Sequence, residues 1–274
     1  MEPAARIEYR ARMQTISIAG TRLLLETAEA GTRYHAPVLI VPGLFQSEAC
    51  WRGIISMLAH RGWDVFLLTR PSDDPDHGWD QSVQQVSEVA EGVASSVGKT
   101  GNVVMLGADV GACVALTVSQ QVESLALGLF APCEPLHAAS AYDRAMGMLE
   151  RRRARRHEGP VQAPRPVAKT SHDTALVGEE PVRWMKDLAA SSPFELPHRH
   201  PPAIVFNCDN DLLVDGDRCV NFARGEFARE SKTRLNGRFW PAIGWERACD
   251  DFHRFLILTL SDRVVEFPEE ILSD

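Results

Sequence analysis

The apolar run Asn102-Val103-Val104-Met105-Leu106 ends in Gly107-Ala108-Asp109-Val110-Gly111, and a second apolar run, Ala112 to Val118, follows at once. Two buried segments joined by so short a link leave few arrangements open. The first run predicts a strand, the glycine-flanked pentapeptide a tight turn, and the second run a helix. The turn has the form G-x-S-x-G with aspartate at its centre. Glycine is needed on both sides because the central residue stands on a strained backbone where flanking Cβ atoms would collide.

The rest of the chain alternates strands and helices around this elbow. Met13 to Ile18 and Arg22 to Ala28, joined at Ala19-Gly20, read as a hairpin. Pro37 to Val41 reads as a buried strand that ends at Pro42-Gly43. Trp51, Ile54, Ile55, Leu58 and Ala59 fall at helical spacing, and Gly62 stops that helix. Asp64 to Leu68 is the next strand, and Ser82 to Val97 an amphipathic helix with Val83, Val86, Val89, Ala90, Val93 and Val97 on one stripe. The strand Ser124 to Phe130 follows the elbow helix.

Alternation breaks at Pro132 and resumes near Pro201-Pro202, with a Pro-, Arg- and His-rich stretch between. Past it come a strand at Ala203 to Asn207, a helix at Val214 to Glu230, a strand at Arg238 to Ile243 and a closing helix at Glu246 to Leu260. Alternation of this kind implies an α/β fold: a mostly parallel sheet with helices on both faces. The division expected is a core of residues 1–132 and 201–274, with residues 133–200 as an inserted lid.

Composition narrows the partners. A formal charge of −8 argues against a nucleic-acid binder, which needs a basic face. No apolar stretch approaches the roughly 20 residues that span a bilayer, and the N-terminal Met1-Glu2-Pro3-Ala4-Ala5-Arg6 has no secretion-signal character. The six cysteines are scattered without a C-x-x-C pair or metal-ligand spacing, and Cys113, Cys133 and Cys208 read as small hydrophobes. The expectation is a reduced, cytoplasmic protein with a small-molecule substrate, no membrane, no metal and no cofactor. A homo-oligomer stays open.

On these residues the chain resembles the alpha/beta-hydrolase superfamily over nearly its whole length. The carriers are Val41-Pro42-Gly43-Leu44-Phe45, the elbow Gly107 to Gly111, the acidic turn Cys208-Asp209-Asn210-Asp211-Leu212-Leu213-Val214, and Pro241-Ala242-Ile243-Gly244. The order is that of the superfamily: nucleophile, acid, histidine. Leu58-Ala59-His60-Arg61-Gly62-Trp63-Asp64-Val65-Phe66-Leu67-Leu68 is also similar to the polyhydroxyalkanoate-synthase branch, whose nucleophile is cysteine where this chain has Asp109.

The resemblance implies roles for particular residues. Asp109 stands where the nucleophile would be, and the turn resembles that of haloalkane dehalogenases and epoxide hydrolases. A carboxylate there can attack an electrophilic carbon, or act as a general base or hydrogen-bond acceptor. The backbone N–H groups of Leu44 or Phe45, and of Val110, would form an oxyanion hole. Asp211 matches the triad acid, whose task is to orient an imidazole. The family's Gly-His pair is here Gly244-Trp245. Indole has no basic nitrogen and cannot activate water. Trp245 reads either as a flat platform for an aromatic ligand or as a core tryptophan.

A replacement histidine would have to come from elsewhere. His77 and His137, in loops expected near the pocket mouth, are the best outsiders, while His253 lies about two turns along the closing helix and away from it. Met146, Met148 and Leu149 are candidate pocket lining, and Arg151 to His157 reads as a solvated helix face. Three classes remain. The first is an Asp-nucleophile hydrolase of an epoxide, halide or ester. The second is a cofactor-free, non-hydrolytic enzyme that joins, cyclises or rearranges a bulky specialised metabolite, aromatic ones included. The third is a small-molecule binding protein.

Overall fold

Ala19 and Gly20 both take positive φ, 48° and 74°, which gives the hairpin turn that matches the twist of its strands. The strands are β1 (Gln14–Ile18) and β2 (Thr21–Glu26), antiparallel as their sequence predicts. This is a computed structural model that describes residues 13–29, 33–43, 46, 48–69, 79–97, 102–134, 197–209, 222–223, 228–233, 235–236 and 244–264.

The elements that follow are β3 (Val38–Val41), α1 (Glu48–His60), β4 (Val65–Leu68), α2 (Trp79–Val97), β5 (Val103–Ala108), α3 (Val110–Val118) and β6 (Ser124–Phe130). Then come β7 (Ala203–Phe206), β8 (Cys208–Asp209), β9 (Ala228–Glu230), β10 (Leu235–Asn236) and α4 (Trp245–Val264). Eight strands form one sheet in the order β1-β2-β4-β3-β5-β6-β7-β9. β2 runs antiparallel to β4, and every pairing from β4 onward is parallel. The β-branched and leucine-rich runs of β3, β4 and β5 are buried throughout, as strands covered on both faces must be.

Helices α1 and α4 pack together on one face, and α2 and α3 on the other. Gly128 in β6 lets α4 approach: a Cβ there would lie 2.7 Å from the Phe252 ring. Phe252 meets Phe130 edge-on, and Phe130 stacks on Phe206 of β7 at 4.4 Å between centroids. At the N-terminal edge of the sheet, Asp64 is 1% exposed and accepts from Arg33 through Nε and Nη2, at 3.0 and 2.5 Å. Its other oxygen accepts the Ala28 N–H at 2.8 Å, so one buried carboxylate ties the exit of β2 to the start of β4. A buried acid is tolerated because a charged donor meets one of its oxygens and a backbone amide the other.

One expectation changes. The helix expected over Val214 to Glu230 does not reach its predicted end, because Ala228–Glu230 is strand β9, parallel to β7. Sheet pairing overrides a helical pattern there, as tertiary context commonly does. The strand expected at Arg238 to Ile243 lies outside the described residues; before it, Leu235–Asn236 forms the short parallel pair β8–β10. Of the expected lid, only residues 133–134 and 197–200 fall within the described residues.

Candidate active site

Asp109 follows β5 with φ 54° and ψ −128°, a region that only glycine enters without strain. The surroundings hold it there. Its N–H donates to the Phe130 carbonyl at 2.9 Å, and its own carbonyl accepts from Ala112 at 3.1 Å and Cys133 at 3.2 Å. The Asp109 main chain is thereby joined to the end of β6 and to the segment after it. The residue is only 6% exposed. Ala131, one row over at the end of β6, is also left-handed, with φ 46°. Among the described residues, then, the positive-φ residues other than glycine are the hairpin alanine and these two neighbours at one edge.

The flanking glycines are needed for close approach, as the sequence predicts. A Cβ on Gly107 would lie 2.5 Å from the Ala112 Cα, and one on Gly111 would lie 2.3 Å from the Pro42 carbonyl oxygen. A third glycine belongs with them. A Cβ on Gly43 would lie 2.6 Å from the Asp109 Cβ and 2.7 Å from the Ala108 oxygen. The turn after β3 therefore lies directly against the elbow. Val110 opens α3, so its N–H belongs to the first turn of a helix, where amides lack intrahelical acceptors and the dipole favours negative charge.

Trp245 is the first residue of α4, and Gly244 before it has φ 97°. The indole is half-buried, and its six-membered ring lies on α1: a Cβ at Gly53 would be 2.5 Å from Cη2 and 2.9 Å from Cζ2. That contact is helix-to-helix packing. Leu44, Phe45, His77, His137, Met146 and Asp211 lie outside the described residues.

The described histidines can be placed against the strand directions. His35 precedes β3, His198 and His200 precede β7, and His60 ends α1 just before the chain returns to β4. These positions lie at the N-terminal edge of the parallel strands, whereas Asp109 lies at the C-terminal edge. His253 is eight residues into α4, which runs back down from Gly244, roughly 12 Å along the axis. Its Nδ1 accepts the indole N–H of Trp63, which immediately precedes β4's lead-in residue Asp64, at 3.1 Å. Tyr34 stacks on the same indole at 4.3 Å. Burial, helped by the Arg61 guanidinium, lowers the His253 pKa, and Asp250 opposes the shift. No described histidine reaches the elbow.

Cys113 and Cys133 are buried beside the elbow, and the Cys113 thiol donates to the Cys133 carbonyl at 3.3 Å. In α4, burial pushes the Cys249 thiol up to about 12, far from the range of a reactive cysteine. Among the described residues no group of three or more His, Cys, Asp or Glu could hold a metal ion, and no helix is long and apolar enough to cross a membrane.

One residue beside the elbow has no signature in the sequence. The Gln46 side-chain oxygen accepts the Gly43 N–H at 2.7 Å, which brings its carboxamide beside Asp109. A polar residue shortly after a Pro-Gly turn reads as ordinary loop, and only the close approach of Gly43 reveals it.

Comparison with known proteins agrees with this architecture. No curated protein matches the sequence. Solved structures similar in fold include a soluble variant of monoglyceride lipase from Saccharomyces cerevisiae (13% identity, 93% of this chain and 98% of that one, TM-score 0.61). MenH from S. aureus is similar at 12% identity, over 86% of this chain and 98% of that one, with a TM-score of 0.60. An esterase from the archaeon Pyrobaculum calidifontis is similar at 16% identity, over 91% and 84%, with a TM-score of 0.57. At such identities the likeness is one of fold. Residues 38–264 match the model of the Alpha/beta hydrolase family. A match of that extent, on a sheet of this order, makes the chain a member of the alpha/beta hydrolase family.

Proposed function

We propose that this chain is a cofactor-independent enzyme in which Asp109 is the acting group, and that it joins, cyclises or rearranges a bulky small molecule without hydrolysing it. The observation that carries the reading is the strained elbow at Asp109, φ 54° and ψ −128°, in a molecule whose described histidines all sit toward the opposite edge of the sheet. Strain of this kind costs about 1–3 kcal/mol and persists where the surroundings enforce it. Trp245, where the family's histidine would stand, rests on Gly53 of α1 and offers no base.

Asp109 as general base would take a proton from a carbon or a phenol of the ligand. The Val110 N–H at the start of α3, with an N–H of Leu44 or Phe45, would hold the oxyanion that results. Asp211 would orient a polar group of the ligand or of the loop. Without an imidazole, water is poorly activated: removing the histidine of a hydrolytic triad costs on the order of 10⁶ in turnover. Hydrolysis is thereby disfavoured, and the deprotonated ligand is left to react with itself or a second molecule.

The elbow geometry also favours a second reading, an Asp-nucleophile hydrolase with its base at His77 or His137. Intact-protein mass spectrometry after incubation with epoxides, alkyl halides and activated esters separates the two. A persistent adduct, absent in Asp109→Asn, identifies attack on carbon without efficient release. Turnover with water oxygen in the product identifies the hydrolase and overturns the first reading. Neither adduct nor turnover directs the search to phenolic and β-dicarbonyl compounds, where an undiminished rate in Asp109→Asn would remove Asp109 from the chemistry.

A further inference from the structure

Gln46 follows Gly43 by three positions and is half-buried. Its Oε1 accepts the Gly43 N–H at 2.7 Å. That bond fixes which end of the carboxamide points where, since the reverse orientation would set its N–H2 against another N–H. The location of Nε2 follows from the crowding at Gly43. The point a Cβ would occupy there lies 3.1 Å from Gln46 Nε2 and 2.6 Å from the Asp109 Cβ. The amide donor and the aspartate side chain therefore pack against the same point of the Gly43 turn and lie close to one another. A glutamine N–H carries no charge and keeps its hydrogens at any pH in which the protein is folded.

We propose that Gln46 is a positioning residue of this site: its Nε2 donates a hydrogen bond to an oxygen of the ligand held against Asp109. The ligand class follows. The site takes molecules with a carbonyl, hydroxyl or ether oxygen next to the atom that Asp109 addresses, and selects against those that offer only carbon or halogen there. This inference rests on Asp109 being the acting group. Gln46 cannot deliver a proton, so its part is to orient the ligand and to stabilise negative charge as it grows on that oxygen.

Two substitutions separate this role from propping the loop. Gln46→Glu keeps an oxygen for the Gly43 N–H and replaces the donor with a second carboxylate. The Asp109 carboxyl is followed by 13C NMR titration of aspartate-labelled protein, its signal identified by its absence in Asp109→Asn. The midpoint should rise in Gln46→Glu by about one pH unit or more, as for two acids sharing a site. An unchanged midpoint overturns the proposal.

Gln46→Met is read by the rate of covalent capture of styrene oxide and of 1-iodohexane, by intact mass. In the first case an Asp109 oxygen bonds to the epoxide carbon, the ring C–O bond breaks, and the released oxygen takes a proton from water. In the second an Asp109 oxygen bonds to the terminal carbon, the C–I bond breaks, and iodide leaves into solvent. Capture of the epoxide should slow by about tenfold or more, and capture of the iodoalkane by no more than about twofold. Equal slowing on both probes would mean a loop prop only, and overturns the proposal. If Gln46→Glu does not fold, the capture ratio decides. If the native protein captures neither probe, nucleophilic attack by Asp109 fails while the titration still decides for Gln46.

Discussion

The indole N–H of Trp63 donates to Nδ1 of His253 across 3.1 Å, which ties the approach to β4 to the middle of α4. The bond requires an unprotonated Nδ1. Burial first, then Arg61, lowers the His253 pKa from the ordinary 6.5, with Asp250 opposing. Protonation is therefore harder in the fold than in the unfolded chain. The stabilisation this gives is complete above about 6.5 and is lost as pH falls through the lowered folded value. His253→Asn, which offers an oxygen near the place of Nδ1 and does not titrate, should flatten the fall of Tm between about pH 7 and 5. Parallel curves for the two proteins in a thermal-unfolding series would show that the histidine is not the group responsible.

Trp245 and Gly53 should be energetically coupled. Alanine for glycine inside a helix ordinarily gains about 1 kcal/mol. At Gly53 the added Cβ would fall 2.5 Å from the indole, so the ring or the helix has to shift. Gly53→Ala should thus gain nothing, or lose, in the native background, and gain about 1 kcal/mol when Trp245 is alanine. Denaturant unfolding of the four proteins measures the difference, and additivity within about 0.3 kcal/mol would mean the ring does not press on α1.

At Asp109 the usual ranking of alanine over glycine should reverse. With φ 54° and ψ −128°, any side chain at this position carries strain. Asp109→Gly should be more stable than Asp109→Ala by about 1–3 kcal/mol, and at least as stable as the native protein. Both variants should lose whatever turnover or adduct formation the native protein shows. Equal stability for the two, by urea unfolding, would mean that the turn relaxes once the carboxylate is gone.

The elbow, the hairpin turn and most strand positions are readable in the sequence because each is a local pattern: alternation, an apolar run, or glycines at a fixed offset. Strand β9 is not, since Ala228-Arg229-Glu230 has no strand character and becomes one only beside β7. Gln46 is hidden for a different reason. Its nearness to Asp109 is a matter of the distance between the loops after β3 and β5, and no periodicity records that. Trp245 stands between these cases. That tryptophan follows Gly244 is plain in the sequence, whereas its seat on α1 is hinted at only by a glycine inside a helical stripe, where closeness of some neighbour is the usual reason.

The main-chain N–H of Asp109 ends on the Phe130 carbonyl, and its carbonyl receives Ala112 and Cys133. The carboxylate is therefore not carried by a loop that can loosen by itself. Its position is set by the β5–β6 ladder, an interior pairing of the sheet. On heating, such a residue does not drift out of place ahead of the rest of the molecule. It keeps its position until the parallel strands part, so displacement of the carboxylate and loss of the fold become one event.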